Sequence, residues 1–437
     1  MLFKGIFSTG MEKTFMDHTF DIIVIGGGTA GIVAAIQGAR ENCKTLLVEK
    51  NGIPGGTMTA GGISSPGLFY AWKKQVISGI GWELVAGAAA ETGTPLPAFE
   101  QQKGMENHPR YQIPLNPLIY AAYCEEKMIE AGVALLYHTM LAGVKEEKEG
   151  FTVTLCTREG LQEFQTKRLI DCTGDACAVS LAGLEVIRPF PCQPGSFSCR
   201  LTGYEPRELD WEALRAAADK AVAEGKLLYT DIGWNKDAFS VQFIGNKGMN
   251  SNHIFPTISP GSAEGRSDLE LLGRKSLLRT YRFLKQQKGL ENLKMEMAAL
   301  ECGVRESAVI RGEYTITGED YISAKKFPDA LCNAFYPIDL HGEDGVKPMA
   351  LQEGAVPQVP LRALRPRGSE FLLVAGRCIS SDRKANSALR VQATCMATAQ
   401  AAAAAACVSI REGVPLSQVS IEKIRALLAE NGAILPR

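Results

Sequence analysis

Gly26, Gly28 and Gly31 stand in the spacing G-x-G-x-x-G, directly behind the apolar, β-branched run 22–25 and ahead of an Ala-rich helical pattern. That order is the grammar of a dinucleotide site. Gly26 permits a tight turn after a first strand, Gly28 lets backbone approach a pyrophosphate, and Gly31 lets the following helix pack closely on the strand. The helix-start amides, in a loop that holds Thr29 and Ala30, then face phosphate charge. A second strand pattern at 45–49 ends in Glu49, about 20 residues beyond the glycines, where an acid binds a ribose hydroxyl.

Further glycine-containing segments follow. Residues 51–62 carry Gly56, Gly61 and Gly62, residues 168–175 run from a short apolar strand into Thr173, Gly174 and Asp175, and residues 371–376 form a buried strand ending in Gly376. A single G-x-G-x-x-G means a single dinucleotide. FAD is favoured over NAD, because a long extended cofactor needs close backbone approach at several places. Ordinary turn chemistry is the plainer explanation of these loops.

The elements that must position these residues are readable in outline. A βαβ unit covers 20–50, and an amphipathic helix at 116–131 opens with the N-cap and N1 pair Asn116-Pro117. Strand patterns at 133–137, 140–145, 151–157 and 163–167 suggest a β-meander, followed by a separate short strand at 168–171. From about 185 to 360 the pattern changes, with a helix at 211–224, a Pro/Gly/Ser/Asn-rich stretch at 246–266 and a long helix at 268–288. A buried strand at 371–375 and a long Ala-rich helix at 394–411 close the chain. The expected architecture is α/β: a Rossmann-like, glutathione-reductase-type FAD-binding domain made of 20–184 plus 361–437, discontinuous, with an inserted α+β substrate or cap domain at 185–360 and a disordered leader at 1–19.

Composition narrows the class. The 437 residues carry a net charge of −1, which argues against nucleic acid as a partner. The apolar stretches fall short of the roughly 20 residues of a membrane span, and the first twenty residues lack a signal-peptide core, so a cytoplasmic protein with no membrane partner is expected. The twelve cysteines contain no C-x-x-C and histidines number five, so neither an iron–sulfur nor a zinc site is expected and no metal is assigned. Cys172 with Cys177, and Cys192 with Cys199, are the nearest pairs, read as reduced buried thiols.

The series Gly26–Gly31, then Glu49 and Lys50 through Gly56, Thr57, Thr59, Gly61 and Gly62, then 171–175, then 374–380, then Arg390 through Thr394, Cys395, Met396 and Gln400 resembles the bacterial FAD-dependent oxidoreductase family of the glutathione-reductase-like flavoproteins. The segments 303–307, 312–315 and 336–341 also resemble that family's middle-domain motifs. The sequence departs from the pattern at Gln392-Ala393, in place of Met-Pro, and at Ala399 and Ala403, in place of glycines. The resemblance implies bound FAD and a redox reaction, and it implies no substrate.

It also places the isoalloxazine between the 57–64 loop and the start of the 394–411 helix, whose dipole stabilises negative charge on a reduced flavin. His341 is the first choice of base for the proton that accompanies hydride transfer, with Asp339 orienting it and Tyr336 a weaker candidate. Arg305 would clamp a carboxylate, the plainer alternative being an ion pair with Glu301 or Glu306. Arg377 and Arg390 are candidates for phosphate or flavin contact, Asp382 for a ribityl hydroxyl, and Cys395 is read as structural. The expected function is hydride transfer between flavin N5 and a CH–OH, CH–NH or CH–CH unit of a small polar metabolite. A fumarate-reductase-like C=C reductase and a flavoprotein electron-transfer subunit are the alternatives. The expected partners are that small molecule and an electron acceptor left unidentified, with a homo-oligomer left open.

Overall fold

The computed structural model describes residues 18–102, 108–235 and 241–437. β1 (Thr19–Ile25), α1 (Thr29–Arg40) and β2 (Thr45–Val48) form the first crossover, with Ile22 opposite Thr45 in a parallel pairing. Residues 22–25 are buried on both faces, which is why a parallel strand reads as a continuous apolar run instead of an alternating one. α1 is buried from Thr29 to Gly38, its Ala and Gly residues allowing close approach. The leader expected at 1–19 lies outside the described residues up to 17. His18 stacks on Phe164 at 4.3 Å, and Thr19 already belongs to β1.

α2 (Ile80–Glu91) and α3 (Pro117–Ala131) follow, the Asn116 side chain accepting hydrogen bonds from Leu118 and Ile119 amides at the start of α3. β3 (Ala134–Leu136) lies parallel to β2. β4 (Met140–Glu147), β5 (Gly150–Thr157) and β6 (Gly160–Asp171) form the antiparallel meander. The separate strand expected at 168–171 does not exist: the meander's last strand continues through Arg168 as one element of 12 residues. Burial in β6 alternates as far as Lys167 and is continuous from Arg168 to Asp171. The change of period marks a passage from one covered face to two, as the strand leaves β5 and runs parallel to β1.

A smaller region follows. β7 (Cys199–Thr202), α4 (Trp211–Ala223), β8 (Gly248–Met249), α5 (Ala263–Leu284) and β9 (Lys294–Ala298) surround a second core that includes Phe197, Leu214, Ile254, Leu269 and Leu277. β7 is the central strand, antiparallel to both β8 and β9. α5 begins five residues before its expected start, capped by the Ser262 hydroxyl, which accepts from Gly265 N. Residues such as Ala308, Tyr321, Phe335 and Leu364 pack into the first core.

The chain then returns. β10 (Leu372–Val374) pairs in parallel with the end of β6, Val374 opposite Asp171, so the main sheet runs β3-β2-β1-β6-β5-β4 with β10 beside the buried half of β6. α6 (Arg383–Leu389), α7 (Gln392–Glu412) and α8 (Ile421–Glu430) complete the fold. α7 lies along α1, and its alanines from 401 to 406 are fully buried. By length and composition α7 is apolar enough to cross a membrane, which corrects the shorter apolar run read from sequence, and 94% of its apolar window is buried inside the protein. All twelve cysteines are free thiols. Cys43 and Cys407, remote in sequence, bring their sulfurs to 3.6 Å.

Candidate active site

A cavity of about 1120 Å³ opens between the end of the parallel sheet and the smaller region. Its first wall is the glycine turn. Gly26 has φ +98°, and a Cβ there would lie 2.7 Å from Cys172 O. At Gly28 a Cβ would meet nothing within 4 Å, so the backbone lies bare to the cavity. Gly55 N donates to Gly27 O at 2.7 Å, joining the two glycine loops. Glu49 accepts from Gly27 N at 2.7 Å and Asn51 N at 2.8 Å, and burial pushes its carboxyl pKa up. Thr29, Ala30, Lys50, Gly56, Thr57 and Gly61 line the same wall. Lys50 is paired with Glu301 at 2.5 Å.

Gly31, Thr59 and Gly62 stand behind the wall. A Cβ on Gly31 would lie 1.8 Å from Gly26 O, so this glycine serves the strand-to-helix packing. Thr59 Oγ1 donates to Pro54 O at 2.6 Å and closes the second loop, while Gly62 O accepts from Ser198 Oγ at 3.0 Å.

The second wall comes from the ends of β6 and β10. Asp171, fully buried, accepts from Thr173 N and Oγ1, Ala178 N and Val179 N, and so shapes the Thr-Gly-Asp turn. Asp175 is held by Arg377 at 2.7 Å, Arg266 at 2.6 Å and Ser307 Oγ at 2.5 Å. Burial pushes its carboxyl up, but the two guanidinium charges outweigh it and the net shift is downward. Arg377 also donates to Gly174 O and Val304 O. Thr173, Gly174, Asp175, Gly376 and Arg377 all line the cavity.

The start of α7 forms a third wall with Val391, Gln392 and Cys395. No side chain caps this helix, and Gln392 Nε2 donates to Ile63 O at 2.8 Å, tying it to the 63–65 segment that also lines the cavity. Burial pushes the Cys395 thiol up to about 12. Thr394 and Met396 are buried away from the cavity, Met396 against Gly81 of α2. Asp382 is the N-cap of α6, its carboxylate accepting from Ala385 N and Gly318 N, so its expected ribityl role is replaced by a structural one.

The fourth wall is polar and buried. Arg305, Tyr336, Asp339, His341 and Arg390 come together here. Arg305 donates to Pro194 O at 2.8 Å and pairs with neither glutamate proposed for it: Glu301 holds Lys50 and Glu306 holds Arg383. Burial, then the Arg390 charge, push Arg305 down to about 9. Asp339 Oδ2 lies 3.1 Å from His341 Nε2 and 3.6 Å from Arg390 Nη2. Burial pushes this carboxyl up, but the His341 hydrogen bond and nearby positive charges bring it down overall. Tyr336 OH accepts from Gln112 Nε2 at 3.1 Å, and burial raises its phenol well above the ordinary value.

One member of this group has no sequence signal. His253 Nε2 lies 2.7 Å from His341 Nδ1. Both imidazoles have lowered pKa values, first through burial and then through the Arg305 charge. His253 belongs to the polar stretch read only as loop composition, and its contact with His341 spans 88 positions. Gln112 and Trp234 likewise carry no sequence signal, since their roles arise from neighbours remote in sequence.

α1 begins without a side-chain cap and without an acid in its first turn, so its leading amides are left to an anion. The bare backbone at Gly28, the buried acid Glu49 and the uncapped start of α7 on the same cavity fit a dinucleotide with a flavin at its far end. Parallel sheet, crossover glycines and returning helix define a Rossmann-type FAD-binding protein. Residues 21–428 match the model of the FAD dependent oxidoreductase family, and the chain belongs to that family, whose cofactor is FAD.

Curated relatives match over short stretches. Dihydrolipoyl dehydrogenase of Trypanosoma brucei brucei is 47% identical over 55 residues, 12% of each chain. Thioredoxin reductase of Bacillus subtilis (strain 168) is 51% identical over 42 residues, 10% of this chain and 13% of that one. The match thus spans only about an eighth of the length of these relatives. Among solved structures, a geranylgeranyl bacteriochlorophyll reductase-like protein from Thermoplasma acidophilum is 13% identical over 94% of this chain and 83% of that one, with a TM-score of 0.44.

Proposed function

We infer that the enzyme exchanges a hydride between its flavin and a small polar carboxylate, at a CH–OH, CH–NH or CH–CH unit. The observation that carries this is the charge balance of the fourth wall. Two guanidinium groups, the buried Arg305 and the half-buried Arg390, lie beside Asp339, and the Arg390 charge adds to burial in lowering Arg305. Arg390 Nε is buried without a hydrogen-bond partner among the described residues. Such a pair favours a second anion, and a substrate carboxylate supplies the charge and the acceptor oxygens.

Bound FAD supplies the two-electron acceptor or donor. Arg305 and Arg390 bind and orient the carboxylate, and the buried wall excludes water from it. Both ring nitrogens of His341 are engaged, one with Asp339 and one with His253. The proton of the oxidised O–H or N–H is therefore taken at the Asp339 carboxylate, which lines the cavity. A substrate anion between the arginines offsets their charge, which lifts Asp339 out of its depressed range and makes it a better acceptor. Tyr336 stays a neutral phenol and serves as a hydrogen-bonding group. The same cationic pair supports the reverse direction, with a C=C bond beside a carboxylate.

The test is anaerobic titration of the FAD-loaded enzyme with 2-hydroxy acids, 2-amino acids and saturated acids, beside their amide or alcohol analogues, following loss of the visible flavin band. Carboxylates should bleach the flavin and uncharged analogues should not. Arg305→Gln should raise the half-saturating concentration by about tenfold or more, the loss of a buried charge-assisted contact. Bleaching by the uncharged analogues alone would refute the reading.

A further inference from the structure

His253 is a buried polar side chain that the chemistry above leaves without a task. Its surroundings hold it rigidly. Asn252 bridges Phe197 N and Phe197 O, both at 2.9 Å, His253 N donates to Thr230 O at 2.8 Å, and Ile254 N donates to Gly195 O at 2.9 Å. Trp234 stacks on the ring at 6.2 Å and Phe255 meets it edge-on at 5.8 Å. The charged and titratable neighbours are His341, Arg305 and Asp339.

The proton pattern of the array follows from valence. An ionised Asp339 can only accept, so His341 Nε2, 3.1 Å away, carries the hydrogen. A neutral imidazole has one N–H, so His341 Nδ1 is an acceptor. His253 Nε2, 2.7 Å from it, must then be the donor. That leaves His253 Nδ1 as a bare acceptor, buried and without a hydrogen-bond partner among the described residues. An unmatched buried acceptor costs stability, and an apolar side chain of similar size would avoid that cost. What the imidazole offers in return is the donated hydrogen bond to His341.

We propose that His253 is a positioning residue that, by donating to Nδ1, fixes the ring orientation of His341, and through it the hydrogen bond that aims the Asp339 carboxylate at the substrate. The opposite polarity, with His341 Nδ1–H donating to His253, turns a lone pair toward Asp339 and is compatible only with a protonated carboxyl. The functional consequence rests on the carboxylate-oxidation reading above; the hydrogen bond from His253 to His341 does not.

Nitrogen NMR of the FAD-loaded protein carrying 15N-histidine reads the tautomer directly, the five histidines being assigned by loss of signals in His253→Gln and His341→Gln. At neutral pH the wild type should show His341 as the Nε2–H form. His253→Gln, whose amide reaches as a donor, should keep the His341 Nδ1 signal at its hydrogen-bonded position, while His253→Leu should move it toward that of a free acceptor nitrogen, at unchanged or higher Tm. With a substrate from the carboxylate panel, His253→Leu should lose about tenfold or more in kcat with little change in KM, and His253→Gln should recover most of it. A wild-type His341 that carries its hydrogen on Nδ1, or that is an imidazolium, overturns the proposal, as does a His253→Leu protein with an unaltered His341 Nδ1 signal. Should His253→Leu not fold, the wild-type and His253→Gln spectra decide. If no carboxylate bleaches the flavin while the tautomer is as stated, the substrate reading fails and the positioning role stands.

Discussion

Arg305, Asp339 and His341 illustrate how a residue's type and its surroundings divide the work. The sequence reads Arg305 as a clamp, His341 as a base and Asp339 as the group that orients it, and it carries no signal for the imidazole that touches His341, because that contact joins a polar loop to a strand pair far along the chain. The two buried imidazoles have a consequence for stability. Their folded pKa values are depressed from the ordinary value of about 6.5 by burial and by Arg305. Below that pH the unfolded chain binds protons that the folded chain refuses. The stabilisation is therefore fully present above about pH 6.5 and is lost as pH falls toward the folded values, at up to about 1.4 kcal/mol per pH unit for each histidine. The urea midpoint should drop between about pH 7 and pH 5, and more shallowly in His253→Gln than in the wild type. Equal slopes would show that these imidazoles do not govern the acid response.

At the scale of elements, the crossover from β1 to α1 was readable because every requirement lies within one local stretch: apolar strand, three glycines, small helix residues. Gly31 sets the distance between them. Its replacement by alanine puts a methyl group 1.8 Å from Gly26 O, so the helix must move off the strand, a strain that overpacked cores meet at about 1–3 kcal/mol. Gly31→Ala should lower the thermal midpoint and purify with substoichiometric FAD, as read from the ratio of visible to protein absorbance; full flavin content would place the turn's tolerance elsewhere. β6 was harder to read. Nothing in its sequence interrupts it at Lys167, yet the change from alternating to continuous apolar residues looks like a boundary. Only the partners β5, β1 and β10 show that one strand passes from a half-exposed meander into a fully covered parallel sheet.

Over the whole molecule, the cavity is assembled from the crossover, the Thr-Gly-Asp turn, the returning α7 and the smaller region, and Asp175 ties these parts together. Its carboxylate takes Arg377 from the returning segment and Arg266 from α5 at once. Asp175→Asn keeps the shape and removes both ion pairs. The cost should fall between the roughly 1 kcal/mol of an exposed pair and the about 3–5 kcal/mol of a broken buried one. It should also quicken proteolysis near residues 260–266 in the FAD-loaded protein, as followed by peptide mapping; unchanged cleavage and midpoint would show that the tie is dispensable. The amino-acid order by itself determined the dinucleotide loop, the α/β class and the return of the last strand and helix, since backbone conformation and burial periodicity are properties of short, contiguous stretches. The tertiary structure alone decided that Met396 and Thr394 face the core, that Asp382 caps a helix, that Arg305 is left with no glutamate and that His253 meets His341. Those outcomes depend on burial, charge and hydrogen-bond valence among residues brought together only when the sheet, the smaller region and the returning helix close on one cavity.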